Sequence, residues 1–171
     1  MTPSGGRASP DGKEPRMKLY LETAFRWNTP CPLTDDAGHI RYTLVGDAFH
    51  LRRNLRVLDL AEREAVGLFQ VLPGLPPRYE AEIYGKPVGE ILKDLTLRPA
   101  CCLFPARNWR AEGPLGAASV SVWEGPAPVA SLQVSGGRTV LDLPEDDSAL
   151  PALGFLLIIR CIFADQEPRR L

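Results

Sequence analysis

Residues Ser148 to Ala164 read SALPALGFLLIIRCIFA, and this stretch decides the fold. Leu150, Leu153, Leu157 and Cys161 fall on one face of a helix, and Phe155, Leu156, Ile159 and Phe163 fall on the others. A helix that is apolar all round must be buried, either in a protein core or in a membrane. A membrane span needs about 20 apolar residues. This run is shorter, carries Arg160, and is interrupted by Pro151 and Gly154. It therefore reads as a core helix of about 25 Å at 1.5 Å per residue. Leu150, Leu153, Leu157, Ile158 and Cys161 are its expected structural residues. Pro151 is tolerated only in a first turn, which starts the helix near Ser148 or Ala149. The run 145–148 (EDDS) ahead of it supplies an expected N-cap and negative charge at the positive end of the helix dipole. Arg160, near the far end, is expected to reach a carboxylate or strand-end carbonyls.

Upstream of the helix the period changes from 3.6 to two. Met17, Leu19 and Leu21 share one face of an extended segment. Ile40, Tyr42 and Leu44 do the same, as do Tyr79, Ala81 and Ile83, and Ala130, Leu132 and Val134. A strand with one buried face needs this alternation. Turn signals separate the runs at 35–38 (DDAG), 45–47 (VGD), 73–77 (PGLPP), 124–126 (EGP) and 135–137 (SGG). Seventeen prolines and 15 glycines are spread along the chain. Strands this dense, with turns this frequent, indicate a sandwich or barrel. Two 17-residue stretches, 55–71 and 118–134, both read strand, polar turn, strand and both end V-x-x-x-Q-V. They are either two halves of an internal repeat or two ordinary hairpins.

The 171 residues suit one domain. Residues 1–16 are polar and rich in Gly, Pro and Ser, and are expected to form a disordered tail. The β domain is expected over 17–165, and 166–171 form a short polar tail. The formal net charge is -1, so no overall basic field draws the chain to nucleic acid or an anionic membrane. Such binding needs a local patch. The four cysteines show no C-x-x-C spacing, and no apolar run opens the chain. A reducing, cytoplasmic setting and a monomer are expected.

Candidate chemistry is sparse. His39 and His50 lie in polar, strand-like segments with no carboxylate or cysteine at a telling distance. The acidic run 145–147 lacks the spaced pattern of a calcium loop. Cys101 and Cys102 read as buried thiols more readily than as reactive or acylated ones. No nucleophile elbow, zinc helix or phosphate loop is present. No metal or cofactor is expected. Arg52, Arg53 and Arg56 form the densest basic cluster and are the candidate anion-binding residues, with Arg52 and Arg56 on one face and Arg53 on the other.

Taken in order, these features resemble the LURP-one-related family, similar in fold to the tubby C-terminal domain and to phospholipid scramblases. The resemblance rests on the opening strand 17–21, the I-x-Y-x-L-x-G segment 40–46, and the hairpin 55–71 with its L-D-L-A turn entry. It continues with R-Y-E-A at 78–81, N-W-R-A-E-G at 108–113, the strand 129–134 and the terminal apolar helix. It implies a mainly β fold: a closed antiparallel barrel of about twelve strands around a central hydrophobic α-helix near the C-terminus. It further implies a non-enzymatic binding or scaffold domain, peripheral at a membrane or cytoplasmic, whose partner is an anionic phospholipid headgroup or a protein. No phosphoinositide-binding constellation is matched. Two alternatives stand beside this: a scramblase-like membrane protein using the C-terminal helix, and an enzyme with an unfamiliar site inside the barrel.

Overall fold

A strand whose side chains alternate between an apolar and a polar face buries the apolar one by curling its sheet shut, and this chain does so. The computed structural model describes residues 15–72, 75–97 and 99–164. The strands are β1 (Arg16–Leu21), β2 (Cys31–Thr34), β3 (Ile40–Phe49), β4 (Arg52–Leu58), β5 (Glu64–Gln70) and β6 (Arg78–Ile83). They continue with β7 (Lys86–Asp94), β8 (Cys101–Phe104), β9 (Trp109–Glu112), β10 (Ser119–Glu124), β11 (Ala127–Ser135) and β12 (Arg138–Pro144). Each pairs antiparallel with its neighbour in the chain, and β1 pairs with β12 to close the circle. Closure leaves no edge strand to pair with another molecule. The expected tails lie outside the described residues apart from Pro15 and Arg16, the latter opening β1.

The helix α1 (Ala149–Ile158) runs through the barrel and continues as a π-helical turn, Ile159–Phe163. Leu153, Phe155, Leu156, Leu157, Ile158 and Ile159 are fully buried, Cys161 is buried, and Leu150 is half-buried. Inward side chains from the wall, among them Leu19, Leu33, Leu44, Leu55, Leu68 and Ile91, complete one core. The meander sorts the connections. Those of β2–β3, β4–β5, β6–β7, β8–β9 and β10–β11 share the end where the helix enters. Those of β1–β2, β3–β4, β5–β6, β7–β8, β9–β10 and β11–β12 share the end where it exits.

Four local expectations change. Ser148 has a helical backbone, and its side chain makes no capping bond. Its hydroxyl accepts from Arg107 Nη1 at 3.1 Å, while Asp146 Oδ1 accepts from the Ser148 N–H at 2.8 Å. The stretch 45–47, read as a turn, lies inside β3. Gly46 is needed there for space, since a Cβ would come within 2.7 Å of Trp27 and run into the Phe25 ring. Gly154 does not interrupt the helix; a Cβ on it would sit 3.1 Å from Val66 Cγ1, so it is where α1 approaches β5. The two stretches 55–71 and 118–134 are both hairpins, but not in one register. Val57 faces Val66, whereas Val120, its counterpart, faces Leu132, the counterpart of Phe69. The longer connection Asp59–Arg63 against the tight turn Gly125–Pro126 accounts for the offset.

Replacing Leu157 with Ala should therefore cost about 2–5 kcal/mol, because the cavity lies between helix and wall with little freedom to collapse. Urea unfolding checks this. Leu157→Asp, which buries an unpaired charge, should give no soluble folded protein.

Candidate functional site at the basic end of the barrel

The three candidate arginines start at the tip of the β3–β4 hairpin, but the fold gives them separate tasks. Strand alternation turns Leu55 and Val57 inward and Arg52 and Arg56 outward. Arg56 pairs with Asp47 across the hairpin, Nε to Oδ2 at 2.8 Å, and that bond raises its pKa. Arg53 points toward the barrel mouth. Its Nη1 donates to the His50 carbonyl at 2.8 Å and its guanidinium lies 5.7 Å from the Trp27 ring centre. It also lies close enough to Tyr79 to oppose the effect of burial, which pushes that phenol up to about 12. Arg52 is exposed, and no carboxylate pairs with it among the described residues.

Arg52 has company of a kind the chain order hides. The β1–β2 connection brings exposed Arg26 to the same end, again without an ion pair among the described residues. Arg78 Nε is buried there without a hydrogen-bond partner among the described residues. Lys93 is buried with its ammonium 5.9 Å from the Phe163 ring. Three acids at this end are ion-paired, Asp47 with Arg56, Glu22 with Arg138 and Glu112 with Arg110, while Asp94 accepts from Thr96, which holds its carboxyl below the usual range and keeps it anionic. The entry end is the reverse. Its turns carry Asp35, Asp36, Asp59, Glu62, Glu124 and the run 145–147. A chain with a formal charge of -1 is thus a barrel with one basic and one acidic end.

Trp27 is a residue the sequence did not single out. With Phe25, 5.0 Å away in an edge-to-face pair, it folds over Gly46. Asn28 fixes the loop, its Oδ1 accepting from the Ala48 N–H at 3.0 Å and its own N–H donating to the Gly46 carbonyl. In sequence the F-x-W run at 25–27 gives no sign of this; the pair meets Gly46 only in the fold.

Other candidates are dispersed. His39 and His50 are exposed at opposite ends, and among the described residues no group of three His, Cys, Asp or Glu side chains could hold a metal ion. Arg160 Nε donates to the Thr139 hydroxyl at 3.3 Å, so a hydroxyl takes the place expected for a carboxylate or carbonyl. At the entry end two clefts of about 250 and 430 Å³ border Trp109, Glu124 and Ser148. Their polar groups satisfy one another: Trp109 Nε1 donates to Glu124 at 3.1 Å, and Arg107 stacks on Trp109 while holding Ser148.

No family model matches the chain. The uncharacterised protein YxjI of Bacillus subtilis (strain 168) is 32% identical over 87 residues, covering 47% of this chain and 54% of its own length. The chain thus spans about half the length of that curated relative. A protein of Arabidopsis thaliana known from its X-ray structure matches 95% of this chain and 98% of its own, with a TM-score of 0.58 at 18% identity. That likeness establishes a shared barrel fold.

All four cysteines are buried thiols, and burial pushes Cys101 up and Cys102 well up from the ordinary thiol value. The thiolate is the reactive species. The folded protein at mildly alkaline pH should therefore give no rapid reaction with Ellman's reagent, and urea should release all four thiols. A fast-reacting thiol in the native state would contradict this burial.

Proposed function

We propose that the chain is a non-enzymatic binding module of the LURP-one-related, tubby-like type, and that its ligand is the anionic headgroup of a phospholipid. The observation that supports this most directly is the sorting of charge between the two ends. Arg26 and Arg52 stand exposed at the exit end without ion pairs among the described residues, while the nearby acids are already engaged. A phosphate there meets two guanidinium groups not already ion-paired to a carboxylate among the described residues, donors suited to charge-assisted bonds. Arg53 and Arg56, the other members of the sequence cluster, act as supports: one holds the hairpin tip and the other braces β3 against β4.

The barrel leaves its interior to the helix, so a ligand is met at the rim. Among the described residues no helix is long and apolar enough to cross a membrane, which favours a peripheral mode over one that uses α1 as a span.

Vesicle co-sedimentation tests the reading. The protein should pellet with phosphatidylcholine vesicles containing phosphatidylserine or a phosphoinositide, and binding should weaken as salt rises through the range where the Debye length falls to about 8 Å. Changing Arg26 and Arg52 together to Glu should lower the affinity by at least about tenfold, since each basic residue near an anionic surface contributes roughly 1 kcal/mol. Arg56→Gln should pellet like the wild type. If the wild type fails to pellet at low salt, or the double variant pellets equally, the headgroup reading is wrong and a protein partner becomes the target.

A further inference from the structure

Large apolar side chains are seldom left in water without a reason when they cluster. Among the described residues, six of the nine exposed large apolar side chains lie at the exit end. Phe49 and Leu51 flank the β3–β4 tip, Leu72 and Leu75 belong to the β5–β6 connection, and Leu95 and Leu97 to the β7–β8 connection. Leu51 and Leu75 are 85% and 83% exposed, and Phe49 is 74% exposed. These three connections are consecutive around the exit end, because β3 to β8 are consecutive in the wall.

Two of the tips are braced beside these side chains. At the first, His50 takes a positive φ of 56°, the Arg53 guanidinium ties down its carbonyl, and the Phe49 ring stacks edge-on against the His50 ring at 4.2 Å. At the third, Asp94 Oδ1 accepts from both the N–H and the hydroxyl of Thr96, at 2.9 and 2.6 Å. Asp94 thus caps that turn, and Leu95 and Leu97 are exposed beside it.

We infer that six described residues of these connections, Phe49, Leu51, Leu72, Leu75, Leu95 and Leu97, form an insertion rim that enters the interface of an anionic bilayer, while the exposed arginines beside them engage its headgroups. The inference rests on the headgroup reading above and specifies how the module sits on the membrane. Charge complementarity selects this occupant. Arg52 is adjacent to Leu51 in the chain, and Arg26 lies at the same end, so apolar and basic groups face outward together. The entry end offers the control within the same molecule. Its exposed apolar residues, Leu60, Ile40 and Tyr84, sit among Asp35, Asp59 and Glu62, and Tyr84 is held by Asp59 at 2.9 Å with Arg63 stacked on its ring. An anionic surface repels that end. The barrel axis therefore stands steeply to the membrane, with the C-terminal end of the helix facing it.

Insertion and headgroup attraction differ in their salt response, and that separates them. The test uses the full chain with vesicles of phosphatidylcholine alone and of phosphatidylcholine mixed with phosphatidylserine. Leu51→Ser with Leu75→Ser keeps every charge and, at such exposed positions, should leave thermal unfolding unchanged. It should lower the affinity for the mixed vesicles by about tenfold or more at both low and physiological salt. A Leu51→Trp variant should show a blue-shifted emission quenched by lipids brominated near the headgroup end of the acyl chain. If the serine variant binds like the wild type and the tryptophan is not quenched, while binding still depends on salt and on Arg52, insertion is overturned and headgroup recognition survives. If binding to neutral vesicles equals binding to mixed ones and the tryptophan is quenched, insertion stands and the headgroup reading falls. Wild type that binds neither vesicle, or that forms dimers which the serine substitutions dissociate, overturns both.

Discussion

A twelve-stranded barrel is too wide for its own inward side chains to meet across the axis. Protein interiors are close-packed, and a void of that size would forfeit the contacts that make burial favourable. The structure depends on filling it, and α1 does so. A helix satisfies its backbone hydrogen bonds internally, so it can pass through an apolar space without bringing unpaired polar groups with it. Its side chains must then be apolar on every face, which accounts for the absence of a polar stripe from Pro151 to Ile159.

The same filling sets the limits of function. Helix and wall interlock, as where Gly154 lets α1 settle against Val66, and buried side chains of both line the axis. The two rims differ. At the entry end Asx turns at Asp35 and Asp59 and the Asp146 bond to Ser148 close the connections on themselves. At the exit end an aromatic pair, Phe25 and Trp27, packs over Gly46, and connections from β1–β2 to β7–β8 carry exposed leucines and arginines.

Because a meander places alternate turns at alternate ends, residues far apart in the chain become neighbours in two groups. Arg26 and Arg52 join one group, and Asp59, Glu124 and Asp146 join the other. The small net charge conceals this. A molecule can carry almost no monopole and still present a strong local field, and it is the local field that an ion at a few ångströms feels.

Much of the architecture was legible in the residues. Period-two runs such as Met17–Leu21 announced half-buried strands, and the all-round apolar stretch from Leu150 to Phe163 announced a core helix. Both are consequences of side-chain geometry that any short window displays. Turn residues at Asp35 and Gly38 were equally plain, since an Asx turn and a φ of +84° need those residue types. What the window could not display was anything that depends on distance across the barrel. Gly46 looked like a turn until Phe25 and Trp27 were seen to need its missing side chain, and Gly154 looked like a helix breaker until β5 stood against it. Arg52, Arg53 and Arg56 looked like one cluster, yet pairing to Asp47 and to the His50 carbonyl divides them, and the partner that completes the basic end is Arg26 from another connection. Local periodicity is written in consecutive residues. The sharing of ends, the pairing of charges and the close approach of backbones are decided only when the sheet closes.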